Sequence, residues 1–515
     1  MQQYRTITVE FPLGGLERST AYQWQKPFTT PLCKNVYPID PATNRARGGV
    51  RPVLKQIAST GSAPYHWHKI SYLDTTVKEG ILICDASGTY TTTDGVTLNV
   101  AIATNPASSF SSCTYYNSMV YQASSGANAK QATPTGGSEA NLANTGGGTA
   151  PTNCGLVWVH QDRLALAGKS NAPHQIFMSA VGDATNWDYT DVTSGGAWTN
   201  TGSEGGQLGD AITGAINHNS NVSLIGSLRS IYAVVGNPRV GGTRRVSSSI
   251  GPLSNNAWCK GLDDSGANHT YMMTYDGLYV IPSGDYSAPQ GISRRKIPNE
   301  LIGVSPAAGD KCCIGFDSQW KGIYITVDPN SGSDVNYFYH IPTDSWWPLE
   351  LPITPHVYAT FPALQSSTKS AILPIGSGGS IRQFNNGESQ GGGNEDFDSY
   401  VLIGPIKLAD SGGEGIIVSC SAALAQDSGD VNWSIYVGDS AEQAYRKAEA
   451  DTTNTAADFT GAKWTYTSTQ YWNGVQNPRV RGNAAYLKLF DVSNERWQIE
   501  SVEMEIDRLG DRKVG

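Results

Sequence analysis

Short runs in which apolar and polar residues alternate recur along almost the whole chain, whereas a sustained 3.6-residue period is nearly absent. Alternation of this kind places successive side chains on opposite faces and predicts half-buried strands joined in antiparallel hairpins. The clearest instance runs from Leu156 to Asp191. Leu156, Trp158 and His160 point one way and Val157 and Val159 the other. A polar turn at Gln161-Asp162 leads into Arg163-Leu164-Ala165-Leu166-Ala167-Gly168, and a further strand, Gln175 to Ala180, ends in Val181-Gly182-Asp183 and the aromatic corner Asn186-Trp187-Asp188-Tyr189. The best helical candidate is Ala441 to Ala450, roughly three turns.

From about residue 65 the strands recur as a degenerate repeat: Gly80-Ile81-Leu82-Ile83, Ser118-Met119-Val120-Tyr121, Arg163-Leu164-Ala165-Leu166, Ser230-Ile231-Tyr232-Ala233-Val234, Gly277-Leu278-Tyr279-Val280, Gly322-Ile323-Tyr324-Ile325 and Ser380-Ile381-Arg382-Gln383-Phe384. Their spacings are 38, 45, 67, 47, 45 and 58 residues. Blades of a β-propeller recur at about 40–50 residues, so the pattern predicts an all-β propeller of about six or seven blades over residues 61–395. The two long spacings suggest Gly/Ser-rich insertions, mobile loops over Ala123–Asn153 and Ser194–Gly209.

Two flanking regions differ from the repeat. Residues 1–60 read as an extended N-terminal arm that packs on a platform or a neighbouring subunit. Pro27, Pro31, Pro38, Pro41 and Pro52 interrupt any helix or ladder, while Phe11, Leu16, Tyr22, Trp24, Phe28, Val36 and Tyr37 supply apolar anchors. After a linker at Gly387–Glu395, residues 396–515 predict a β-sandwich platform domain of about six to eight strands. Its last strand sets Trp497, Ile499, Val502, Met504 and Ile506 against a wet acidic face of Glu500, Glu503, Glu505 and Asp507.

Composition narrows the function classes. Glycine is abundant at 57 residues and charge sparse at 16 %, which suits turn-rich β structure. The net charge of −9 argues against gripping nucleic acid by its phosphates. The platform holds 18 acidic and 11 basic residues, so −7 of that charge sits there. No apolar run approaches the ~18–20 residues needed to span a membrane, and the N-terminus lacks the form of a signal peptide, which points to folding in a cytoplasm. The eight scattered cysteines form no CxxC pair and read as buried free thiols.

Candidate chemistry is thin. His66 and His68 share one strand face and could ligate a metal, but no third ligand lies at a telling distance. His160, Asp162, Asp183 and Asp188 fit turn and corner roles better than a catalytic set. Asp344-Ser345-Trp346-Trp347-Pro348 could be a sugar platform or a blade-closing corner. No catalytic, cofactor or metal set is assigned. Arg45, Arg47 and Arg51 in the arm fit either a solvated turn or an interface or phosphate contact, and Glu500, Glu503 and Glu505 are candidates for an interface or a channel lining.

One resemblance covers most of the chain. The arm, with Pro12-Leu13-Gly14-Gly15-Leu16, Tyr22-Gln23, Thr29-Thr30-Pro31, Asn35-Val36 and Arg47-Gly48-Gly49-Val50-Arg51-Pro52, resembles the opening of tail nozzle or hub proteins of short-tailed bacteriophages, the tail tubular protein B family. Gln161-Asp162-Arg163-Leu164, Ser179-Ala180-Val181-Gly182-Asp183-Ala184-Thr185-Asn186-Trp187, Ser248-Ser249-Ile250-Gly251, Asp276-Gly277-Leu278-Tyr279 and the closing Trp497–Glu505 stretch are similar to that family in the same order. The resemblance implies a structural virion protein and not an enzyme. It implies a hexameric ring of this chain below the portal and the adaptor, or head-to-tail connector, with double-stranded DNA passing through unbound during ejection. It further implies contacts to a tail fibre or tailspike and to a tail needle, and no cofactor. The competing function is a carbohydrate-binding or carbohydrate-cleaving propeller used in host recognition.

Overall fold

The computed structural model describes residues 4–41, 43–48, 53–104, 110–200, 208–263, 265–284, 286–302, 311–328, 334–361, 371–385, 398–409, 413–426, 428–467, 473, 475–491 and 496–511. The Gly387–Glu395 linker and Arg51 lie outside the described residues.

Between residues 53 and 385 the described residues form seven four-stranded antiparallel sheets. In each of the first six, four strands run outward in chain order from an innermost one, with the short Asn186–Trp187 strand of a separate pair intervening in the third. These innermost strands are Pro64–Leu73, Ser111–Tyr116, Cys154–His160, Ile212–Asn217, Trp258–Leu262 and Lys311–Asp317; in the seventh sheet the innermost is Pro355–Phe361. Each packs on the next around the circle, and the seventh returns to the first. Between the fourth and fifth sheets Trp258 shares one buried cluster with Leu224, Ile231 and Ala233. The arrangement is a β-propeller. One four-stranded sheet has two apolar faces, and radial stacking buries both.

The ring closes with borrowed chain. The seventh sheet consists of Pro355–Phe361, Ala371–Gly376, Ser380–Asn385 and, as its outermost strand, Val53–Ser59. Val53 pairs with Asn385 and Ser59 with Ser380. The segment read from its prolines as the end of the arm is therefore a propeller strand.

The repeat does not mark equivalent strands. It falls on the second strand of the first, second, third and sixth sheets, and on the third strand of the fourth, fifth and seventh. The spacings of 67 and 58 residues are the two steps from a second strand to a third. Nor is Ala123–Asn153 a loop. Lys130–Ala132 and Ala140–Asn141 are the outer strands of the second sheet, and Gly147–Gly148 pairs in parallel with Asn186–Trp187. Ala123, Ala129, Ala132 and Leu142 are buried there. Backbone ladders can be satisfied without large side chains, and alanine lets neighbouring segments approach closely. The Ser194–Gly209 stretch likewise supplies Trp198–Thr199 as the outer strand of the third sheet, while 201–207 lie outside the described residues.

The C-terminal unit is a sandwich of two sheets, and each takes a strand from the N-terminal arm. Tyr4–Val9 pairs with Ile499–Asp511 in a four-stranded sheet, and Cys33–Lys34 pairs with Tyr400–Lys407 in a five-stranded one. The core between them holds Ile417, Cys420, Val431, Trp433, Leu487, Val502, Met504 and Ile506. In the last strand the apolar parity changes between Ile499 and Val502. A β-bulge opposite Ala423–Leu424 absorbs the slip, so all the apolar residues still reach the core. Helix Ala441–Ala450 covers the outer face of the five-stranded sheet. It is capped by Ser440, whose side chain accepts from the Gln443 N–H, and it lays Ala444, Tyr445 and Ala448 on Tyr436 and Tyr486.

Propeller and platform share one continuous core across the sixth sheet. The Phe11 ring lies 6.4 Å from both Trp347 of the propeller and Trp497 of the platform. Asn35 fixes the joint. It adopts a left-handed φ of 51°; its N–H donates to the Pro348 carbonyl at 3.0 Å, its Oδ1 accepts from the Glu350 N–H at 2.8 Å, and its Nδ2 donates to the Asp398 carbonyl at 2.7 Å. Asn35→Ala is expected to cost about 2–4 kcal/mol, combining two lost buried hydrogen bonds with backbone strain. Asn35→Gly keeps the backbone relaxed and should recover roughly 1 kcal/mol of that loss. Denaturant unfolding of the three proteins measures both differences.

Candidate assembly interface

The signature stretch of the third sheet is built for folding. Gln161 and Asp162 both take positive φ, 46° and 55°, as a two-residue hairpin turn requires. Arg163 is fully buried, and its guanidinium donates to the carbonyls of Ser179 at 2.8 Å, Gly196 at 2.6 Å and Ser194 at 2.7 Å. The Gly182 N–H donates to the Asp162 carbonyl at 2.8 Å. The Gln-Asp-Arg-Leu and Gly-Asp-x-x-Asn-Trp motifs are thus two halves of one corner, closed over a buried Trp187. Asp183 and Asp188 cap their own turns, each accepting from a threonine two residues on. His160 is buried between two sheets, with Nε2 donating to the Gly236 carbonyl and Nδ1 meeting the Ser223 hydroxyl, both at 2.8 Å.

The acidic-aromatic turn at 344–348 offers no sugar platform. Trp346 and Trp347 are both fully buried. The Trp346 carbonyl accepts from the Leu16 N–H at 2.9 Å, so the arm docks on this strand.

The arginine and glutamate candidates divide. Arg47 is interior, 2.8 Å from the equally buried Asp40, which in turn accepts from Gln498. It holds the arm to the platform and offers nothing to a partner. Arg45 and Glu500 form an exposed ion pair with each other. Glu505 is exposed and accepts from the Ser419 hydroxyl at 2.9 Å, and Glu503 is half-buried opposite Thr8. These glutamates give the platform an acidic outer face.

A groove of about 720 Å³ opens on the platform between the two sheets. One wall is Tyr4–Val9, the edge strand of the four-stranded sheet, and the other is Ile403–Lys407 at the edge of the five-stranded sheet, beyond the reach of the short Cys33–Lys34 strand. Trp24 and Phe28 line it, 70 % and 55 % exposed, and Tyr4 and Leu13 are also exposed, at 54 % and 41 %. Leu16, Val36 and Tyr37 do anchor the arm, whereas Trp24 and Phe28 are its outward-facing residues. Arg5, Lys26 and Lys407 give the groove a basic rim beside Glu10, with Lys26 already ion-paired to the buried Glu17 at 2.9 Å. A sheet edge beside exposed apolar side chains is a surface on which a second chain can add. The sequence shows these aromatics, but not which of them the arm leaves outside.

The axis of the propeller is spanned at one end by the turn Ser254–Asn256. Asn256 donates to the carbonyls of Tyr65 at 2.8 Å and His356 at 3.3 Å, on the first and seventh sheets. Ser254 donates to the Cys312 carbonyl on the sixth, and Asn255 accepts from the Ala215 N–H on the fourth.

No protein-family model and no curated protein sequence matches the chain. Solved structures that resemble it include YCF48 from Cyanidioschyzon merolae, with a TM-score of 0.40 at 9 % identity over 64 % of this chain and 98 % of that one. Another is YCF48 bound to D1 peptide, with a TM-score of 0.39 at 9 % identity over 64 % and 95 %. BamB from Moraxella catarrhalis has a TM-score of 0.35 at 12 % identity over 65 % and 99 %. Likeness at this level carries no functional argument.

Burial also sets a pH response. It holds His340 down to about 4 and lowers His160 as well. The unfolded chain therefore binds more protons than the folded one between about pH 6.5 and 4. Stability should be level above that window and fall as pH drops through it, by roughly 1.4 kcal/mol per pH unit for each such histidine. Denaturant midpoints from pH 8 to 4 check this, and His340→Asn should flatten part of the slope.

Proposed function

We propose that this chain is the structural subunit of a tail nozzle ring in a short-tailed bacteriophage, and not an enzyme. The observation that carries the reading is the platform groove, where two sheet edges meet around exposed Trp24 and Phe28. Its occupant in this account is the neighbouring copy of the same chain. The basic rim of the groove complements the acidic face of Glu500, Glu503 and Glu505 that each copy carries on the same platform. A contact between two different patches of one chain repeats head to tail, and it forms a ring when its rotation closes. The ordered motifs from the arm to the last strand support the same assignment.

The Ser254–Asn256 turn bears on where DNA would travel. A propeller spanned at its axis is not itself the conduit, so the duct belongs to the ring as a whole, with the propellers around it. An acidic or neutral lining would repel phosphate and let the duplex slide, where a basic one would hold it. In this reading the ring stacks below an adaptor in the virion and meets fibre or tailspike proteins at its periphery.

Electron microscopy of the assembled particle tests the proposal. A six-fold ring of this chain around the duct is expected, and a single copy in the tail would refute it. Trp24→Ser with Phe28→Ser removes apolar surface that is already solvated, so monomer stability should change by less than about 1 kcal/mol. Ring assembly, followed by native mass or by incorporation into particles, should drop at least tenfold. Assembly at the wild-type level would remove the groove from the interface.

A further inference from the structure

The first two propeller sheets bring together a donor set that sequence spacing conceals. His66 lies on the innermost strand of the first sheet, directly opposite Cys84 on the second strand. Cys113 lies on the innermost strand of the second sheet, which packs against the His66 strand. The His66 nitrogen and the two sulfurs all lie within 4.8 Å of one another. His66 Nδ1 is 3.9 Å from Cys113 Sγ and accepts from the Cys113 N–H at 3.4 Å, a long hydrogen bond that a metal would displace from its lone pair. Cys84 Sγ donates to the Ser111 carbonyl at 3.3 Å.

We infer that His66, Cys84 and Cys113 form a binding site for a thiophilic d¹⁰ cation, zinc(II), at the seam between the first and second blades. A tetrahedral zinc ion with bonds of about 2.0–2.3 Å holds its ligand atoms roughly 3.5–3.8 Å apart, a small contraction of the present spacing. One imidazole and two thiols are a soft donor set that disfavours magnesium and calcium. The surroundings supply an independent sign of a missing ligand. Thr89 is the cross-strand partner of Cys84, and Gln122 is that of Cys113. Both are buried, at 0 % and 1 % exposure, and the Thr89 hydroxyl and both amide atoms of Gln122 have no hydrogen-bond partner. Cross-strand partners share a sheet face, so these groups flank the cluster. A zinc-bound water in the fourth position would give them partners.

Metal entry would displace the Cys113 N–H from the His66 lone pair, and each thiol would give its proton to solvent. The ion would tie two neighbouring blades together, and affinity for the folded chain alone raises stability by mass action.

Cobalt(II) titration of the full-length reduced chain tests the site. One equivalent should bind with the tetrahedral d–d bands and the thiolate-to-cobalt charge-transfer absorption of a two-sulfur site, and zinc should displace it. Cys84→Ser, Cys113→Ser and His66→Ala should each weaken binding at least tenfold. A readout without variants guards against misfolding: zinc should slow alkylation of Cys84 and Cys113 at least tenfold, mapped by mass spectrometry, and leave Cys259 unchanged. An octahedral cobalt spectrum, zinc protection spread evenly over all eight cysteines, or formation of a Cys84–Cys113 disulfide in place of metal uptake would overturn the assignment.

Discussion

Closure is the constraint on which this structure depends. The outermost strand of the last propeller sheet is Val53–Ser59, drawn from the other end of the chain. The same N-terminal region supplies an edge strand to each platform sheet. A ring of sheets held only by side-chain packing could open at any seam, whereas a ladder of backbone hydrogen bonds between distant segments resists opening at the point where the chain would otherwise end. The arm therefore belongs to the fold of both units. Leu16, Val36 and Tyr37 fill the joint that the sixth sheet shares with the platform.

That joint accounts for much of the unusual chemistry. Arg47 with Asp40, Asn35 in a left-handed conformation, and the stack of Phe11 between two tryptophans all lie where the arm crosses between units. Residues that could have been read as functional by type alone are consumed in holding the units together. What the arm leaves outside is therefore informative. Trp24 and Phe28 could have packed inward beside Leu16, yet they face solvent next to a bare strand edge. A solvated tryptophan there contributes little to this chain alone, which is why the proposed assembly contact is placed at the groove.

The sequence made the class of the fold legible because alternation reports burial directly. Trp497, Met504 and Ile506 are core, and Ala441–Ala450 is the helix that its spacing predicts. It misled where side-chain size stood in for structure: the alanine-rich chain after Ala123 pairs as strands, and the repeat alternates between second and third strands because both carry the same apolar pattern. Trp346-Trp347 read as a possible sugar surface because burial across units cannot be seen from one strand. The His66, Cys84 and Cys113 cluster was hidden for a similar reason, since its members meet only through one cross-strand pairing and one packing of neighbouring sheets.

The arm makes propeller and platform a single body independent of the connection between them. A protease site engineered within residues 387–395 and cut under native conditions tests it directly. The account predicts that the two fragments stay together through gel filtration at low concentration, held by the Tyr4–Val9 and Cys33–Lys34 strands and the shared core. Separate elution of a folded propeller fragment and a folded C-terminal fragment would contradict it.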